Sequence, residues 1–167
     1  MLETDAPSIG LDGVRPEDTE PRHVADIARA VVLEAVQQGR PVEIEHPEQP
    51  VPVVVVATAV RAALANLLEN ASDVTPDGES VKVEIGSGGD HGFVRITDRG
   101  PGLPPGLGDR IFERFVRGPD AGPTGTGLGL AFVAEVAAAH GGSVAAESRD
   151  GGGARFTLTV PIRKETG

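Results

Sequence analysis

An α/β domain with three main helices and a mostly antiparallel sheet is what the sequence predicts, and three observations predict it. Apolar residues recur at helical spacing in three separate segments, 24–39, 58–72 and 127–140. Short alternating stretches lie between them, and two pairs of these, 80–85 with 93–97 and 143–148 with 154–160, are close enough in the chain to be hairpins. The 167 residues are 39% hydrophobic and 24% charged, which describes one ordinary globular domain and no disordered chain.

The elements follow in order. Residues 1–21 hold Pro7, Pro16 and Pro21 among acidic residues without apolar period, and are expected to be a flexible leader or the remnant of an upstream linker. From Val24 the apolar positions Val24, Ile27, Ala28, Val31, Val32 and Ala35 mark a helix that stops at Gly39. Val42-Glu43-Ile44-Glu45 alternates as a half-buried strand. The Val-rich run 51–56 is interrupted by Pro52, which suits an edge strand. A strong helix over 58–72 carries Val60, Leu64, Leu67, Leu68 and Ala71 on its apolar stripe, with Thr58 as its expected weak cap. After the turn Pro76-Asp77-Gly78 comes the first hairpin, with a Gly-rich link at 86–92. A long stretch rich in Gly and Pro follows from Asp98 to Thr126, helical only over 109–116, then the third helix and the second hairpin; 163–167 is a tail.

Composition excludes several classes of function. Without Cys there are no disulfides, thiolate metal sites or cysteine nucleophiles. A net charge of −10 argues against a general binder of nucleic acid or anionic membrane, and Arg110, Arg114 and Arg117 form the one basic island. No apolar run approaches a membrane span and the N-terminus has no signal pattern, so a cytoplasmic domain or excised fragment is expected. With five Phe and neither Trp nor Tyr, the core has to be built from Val, Ala, Leu and Ile.

Three motifs can carry chemistry. In Asn66-Leu67-Leu68-Glu69-Asn70-Ala71 the two amides are four residues apart and share one helix face, where they offer neutral oxygens to a hard cation such as Mg²⁺. In Asp98-Arg99-Gly100-Pro101-Gly102 a carboxylate at a strand end can accept from an exocyclic amine while the bare glycines let a flat base approach. Gly125-Thr126-Gly127-Leu128-Gly129-Leu130 opens a helix, and its free N–H groups suit an anion. Each alone has an ordinary reading: a solvated Asn pair, an Asp-started turn, a flexible glycine turn. Their order in one chain, with Ile111-Phe112-Glu113-Arg114-Phe115 before the last, is specific.

Together these motifs resemble the ATP-binding catalytic domain of sensor histidine kinases, in the superfamily of gyrase, the Hsp90 chaperones and MutL. The resemblance covers residues 22–162: 66–71 is similar to the N box, 98–102 to the first glycine box, 111–115 to the F box and 125–130 to the second, and His140-Gly141-Gly142 looks like the start of the closing hairpin. It implies a two-layer α/β sandwich of Bergerat type: a mixed, mostly antiparallel sheet with three helices on one face and the nucleotide between helices and lid. By the same resemblance Asn70 ligates Mg²⁺ and Asn66 lines the phosphate or metal side. Asp98 holds the adenine amine, with Gly100 and Gly102 shaping the base pocket. Gly125, Thr126, Gly127, Leu128 and Gly129 serve the phosphates and the lid hinge. Arg114 and Arg117 are the candidates for phosphate charge, Arg117 first because it borders the lid at 116–126.

The implied activity is transfer of the ATP γ-phosphate to a His on a separate dimerisation and acceptor domain, with Asn66, Asn70 and Arg117 at the reacting end. Hydrolytic members of the superfamily place a general-base Glu where this chain has Asn66, and an amide cannot take a proton from water at neutral pH. The isolated domain is therefore expected to bind ATP and turn it over slowly. The family often has a basic residue and an aromatic where this chain has Asp73 and Val74, and Asp73 is expected to face solvent or reach metal-bound water. The Gly-Asp usual before the Asn helix is replaced by Val55-Val56. His23, His46, His91 and His140 lack the neighbours of an acceptor box, so the acceptor is expected on a partner domain, with a response regulator further on. The domain itself is expected to be monomeric, without nucleic-acid or membrane contact, in a parent that can be membrane-anchored. Two rival readings are an anti-sigma-factor-like serine kinase and a non-catalytic, nucleotide-dependent interaction module.

Overall fold

Val24, Ile27, Ala28, Val31, Val32 and Ala35 do form one buried stripe, on helix α1 (Val24–Gln37). The computed structural model describes residues 20–47, 49–113 and 129–162. Gly39 ends α1: its φ of +83° lets its own N–H reach Val36 O at 2.9 Å and that of Arg40 reach Ala35 O at 3.0 Å. Before α1 runs β1 (Glu20–His23), an element the sequence reading does not foresee, because Pro21 lies inside it and no alternation marks it. It pairs antiparallel with β3 (Pro52–Val55), Pro52 opposite His23. A ribbon of two strands tolerates both prolines, since proline is accommodated where its missing N–H falls on an edge; the outer edge of β3 carries an isolated bridge, Val53 to Ile162.

The main sheet has five strands in the order β2-β4-β5-β7-β6: β2 (Val42–Glu45), β4 (Val81–Gly88), β5 (His91–Thr97), β6 (Ser143–Ser148) and β7 (Ala154–Pro161). Only β2 with β4 is parallel. Alternation sends Val81, Val83, Ile85, Val94, Ile96, Phe156, Leu158 and Val160 to one face, where they bury against α1, α2 (Ala57–Val74) and α3 (Gly129–Ala139). The opposite face carries ion pairs such as Lys82–Glu45 at 3.0 Å and Arg155–Glu147 at 3.3 Å. The Glu45 hydrogen bond, with Glu84 beside it, holds the Lys82 ammonium above its ordinary pKa. The two-layer α/β arrangement expected from the resemblance is the one observed.

Two expectations are corrected. The 86–92 link is mostly strand, and the turn is Gly89-Asp90 alone, with Gly89 at φ +60°. Gly86 and Gly92 are strand residues whose missing side chains are replaced by neighbours: a Cβ would lie 2.7 Å from the Phe93 ring at Gly86 and 2.5 Å from Val51 Cγ1 at Gly92. The second helix starts at Val56, which offers no side-chain cap, and Thr58 is an exposed residue already inside the helix.

Leu64, Leu67 and Leu68 are the largest side chains α2 buries, and Leu67 is fully enclosed. Leu67→Ala is expected to cost about 2–5 kcal/mol. Urea unfolding should show it as a lowered midpoint with an unchanged slope.

Candidate functional site

On α2 the residues Asn66, Asn70 and Val74 follow one another at intervals of four and form a single stripe, about 12 Å long at the helical rise. Its two ends meet the two glycine motifs. The Asn66 side chain is half-buried, donates from Nδ2 to Ala62 O at 3.0 Å, and turns Oδ1 towards Gly129, the first residue of α3. A Cβ on Gly129 would stand 3.1 Å from that oxygen, so Gly129 allows the helix start to come up against the amide. At the far end Val74 lies on Gly100, where a Cβ would be 2.8 Å from the Val74 side chain. Between them the Asn70 side chain is exposed and makes no hydrogen bond to any described residue.

Asp98 follows β5 and is only 3% exposed. Its Oδ1 accepts the Gly100 N–H and the Ala154 N–H, both at 2.9 Å, and its own N–H donates to Ala154 O at 2.9 Å. One carboxylate oxygen is thereby committed to the backbone, and Oδ2 has no hydrogen bond to the described residues. Gly153, at φ +91°, passes so close that a Cβ would run into the Asp98 carbonyl. Gly102, at φ +89°, lies against Ser148, whose Oγ accepts the Leu103 N–H at 3.0 Å. Thr75 joins this turn to α2: its hydroxyl donates to Ala71 O at 2.8 Å and accepts the Arg99 N–H at 3.1 Å.

The structure thus brings together Asn66 with Gly129, and Asp98 with Gly100 and Gly102, and strings both pairs along one helix. Arg114, Phe115, Arg117, Gly125, Thr126, Gly127 and Leu128 lie outside the described residues. Phe112, on a short 3-10 helix (Gly108–Phe112), meets Phe156 edge-on at 6.3 Å. Arg110 is exposed and pairs with Glu113 at 3.7 Å, as a solvated surface arginine does. Asp73 is exposed, as expected, and so is Glu69. Sequence reasoning missed Thr75, Ser148 and Gly153. The run Gly151-Gly152-Gly153 was a visible signal for the last; the hydroxyls gave none, because their partners are 24 and 45 residues away.

Chemically the stripe has two unlike ends. The start of α3 brings the first N–H groups of a helix, which have no acceptor within it, and the positive end of its dipole beside Asn66, while the Asp98 end presents a buried acceptor. An elongated ligand, anionic at one end and bearing an amine on a flat group at the other, matches both.

Two glycines of one turn separate strain from crowding. Gly151 at φ +89° has open space around it, whereas Gly153 faces Asp98. Each should lose about 1–2 kcal/mol on substitution by Ala through the left-handed backbone. Gly153→Ala is expected to lose clearly more than Gly151→Ala in urea unfolding, because only there must the Asp98 turn move.

Comparison with known proteins bears on the family and the fold. The family model for histidine kinase-, DNA gyrase B- and HSP90-like ATPases matches residues 55–164. The sensor-like histidine kinase SenX3 of Mycobacterium tuberculosis is 42% identical over 107 residues, 62% of this chain and 26% of that protein. The probable sensor histidine kinase TcrY of the same organism is 33% identical over 157 residues, 91% of this chain and 33% of that protein. The chain therefore spans about a quarter to a third of the length of these relatives. Among solved structures, the mycobacterial sensor histidine kinase MprB superposes with a TM-score of 0.77 at 31% identity, covering 87% of this chain and 100% of that one. Full-length ShkA in complex with AMPPNP gives 0.75 at 26% identity, covering 89% and 32%.

Proposed function

As a member of the histidine kinase-, DNA gyrase B- and HSP90-like ATPase family, the chain is an ATP-binding catalytic domain of the sensor histidine kinase kind, and we propose that ATP lies along the α2 stripe and gives its γ-phosphate to a His on a separate acceptor domain. The observation that carries this reading is the stripe itself, which links an anion-attracting helix start to a buried carboxylate.

At the base end, Asp98 Oδ2 accepts the exocyclic amine of adenine, and Gly100 and Gly102 leave room for the flat ring. At the phosphate end stand Asn66 and Gly129, joined in this proposal by Gly125, Thr126, Gly127, Leu128, Arg114 and Arg117. The donor set fits a Mg²⁺ ion: Asn70 offers a neutral, hard oxygen that no described residue occupies, on the same stripe as Asn66. When bound, the ion spreads the negative charge of the phosphates.

The acceptor imidazole nitrogen bonds to the γ-phosphorus as the bond to the bridging oxygen breaks and ADP leaves. Here the chain's own residues bind and orient. Asn66 cannot act as a base towards water, so hydrolysis competes poorly with transfer. The partners in this reading are the dimerisation and acceptor domain and, beyond it, a response regulator; the domain alone is monomeric. No helix among the described residues is long and apolar enough to cross a membrane.

Calorimetric titration with Mg-ATP tests the binding mode. Asp98→Asn keeps an oxygen for the two backbone N–H groups but turns an NH₂ towards the base, so affinity should fall at least about tenfold while the melting temperature changes little. Asn70→Ala should weaken binding about tenfold with Mg²⁺ and far less with EDTA. Mixed with an acceptor domain, the wild type should yield acid-labile phosphate on His. Absence of ATP binding, or fast steady hydrolysis by the domain alone, would refute the proposal.

A further inference from the structure

His140 stands at the C-terminal end of α3, far along the chain from the α2 stripe, and its ring is used at both nitrogens. The Val56 N–H donates to Nε2 at 3.0 Å, so Nε2 carries no proton. The proton is then on Nδ1, which donates to Val136 O at 2.8 Å. The surrounding backbone holds the ring in place. Gly141, at φ +73°, sends its N–H to Ala138 O at 3.0 Å, and Gly142 sends its own to Ala137 O at 2.8 Å, which makes His140 the last residue of a tightly closed helix end. A Cβ on Gly142 would run into the Thr159 carbonyl, so this end is also pressed onto β7.

Val56 is the residue from which α2 starts, and no side chain caps that helix locally. In a capping box a Glu or Gln three residues on would accept the N–H of the starting residue; here that position is Ala59. The imidazole of His140 takes that place from 84 residues away.

α2 and α3 therefore touch at two marked points. His140 meets Val56 where α3 ends and α2 begins, and Gly129 meets Asn66 where α3 begins. Along α2 the two points are ten residues apart and along α3 eleven, about 15 and 16 Å at the helical rise. The spacings match, so the helices run side by side in opposite directions, joined like a ladder with two rungs. One rung alone leaves α3 free to slide or tilt against α2; two define the gap at Gly129.

We propose that His140 is a positioning residue, which sets the distance between the Asn66 amide and the start of α3 and through it the affinity for the phosphate end of the nucleotide. The proposal rests on the nucleotide reading above. It predicts that the ring matters through its acceptor nitrogen and not through its bulk.

The test compares His140→Phe with His140→Gln in the full chain, using Mg-ATP calorimetry well below the melting temperature and hydrogen exchange of two protected amides, Val56 and Val133, the latter buried in the first turns of α3. His140→Phe keeps a ring without an acceptor. It should raise Kd about tenfold, as loss of one well-placed hydrogen bond does, and speed exchange at both amides. His140→Gln puts an amide oxygen near the place of Nε2 and should bring Kd back to within about twofold of wild type. Val56→Pro removes the donor from a residue whose φ of −79° proline can adopt, so it serves if His140→Phe does not fold, and the same rise in Kd is expected. A lowered melting temperature with wild-type Kd in His140→Phe or Val56→Pro, or a Gln variant no better than Phe, overturns the proposal. If the wild type itself binds no ATP the nucleotide reading fails, and unchanged exchange at Val133 in His140→Phe would separately disprove the rung.

Discussion

One oxygen of Asp98 holds together the parts of the chain on which the site depends. It binds the Gly100 N–H on its own turn and the Ala154 N–H at the start of β7, in a place with almost no solvent. An ionised carboxylate that accepts backbone hydrogen bonds can remain buried where an unpartnered one could not. Because the first oxygen is spent on the fold, the second is held in a known direction. Binding at that end then needs little further ordering of the protein, which is how a small contact becomes a selective one.

From that anchor the architecture extends along α2. Thr75 fastens the C-terminal end of the helix to the Asp98 turn, and His140 fastens its N-terminal end to α3. The hydrophobic side of α2, with Leu64, Leu67 and Leu68, sits on the sheet and leaves the Asn stripe outward. The same helix is a core element on one side and a binding platform on the other. Neither role disturbs the other, because the 3.6-residue period separates the two faces.

Most of this platform was legible in the sequence. Asn66, Asn70, Asp98 and Gly129 belong to local patterns whose spacing has a meaning within a few residues. What could not be read were couplings between distant segments. The Gly-rich strand ends around 86–92 looked like a loop because their packing partners, Phe93 and Val51, are supplied across the sheet and from before α2. Thr58 looked like a cap because the group that completes the helix start is an imidazole in another element. β1 was invisible since a strand that holds a proline and pairs with a Pro-containing partner leaves no alternation to detect.

The parallel pairing of β2 with β4 carries a kinetic consequence. Antiparallel neighbours such as β4 and β5 are joined by a two-residue turn and can zip from it, whereas β2 reaches β4 only across the segment that contains β3 and α2. The loop-closure entropy for that edge must be met before its contacts return anything, so β2 is the strand placed to join late. Newly made chains would spend that interval with the outer edge of β4 open, a row of unpaired amides and carbonyls inviting a neighbouring molecule to dock where β2 belongs.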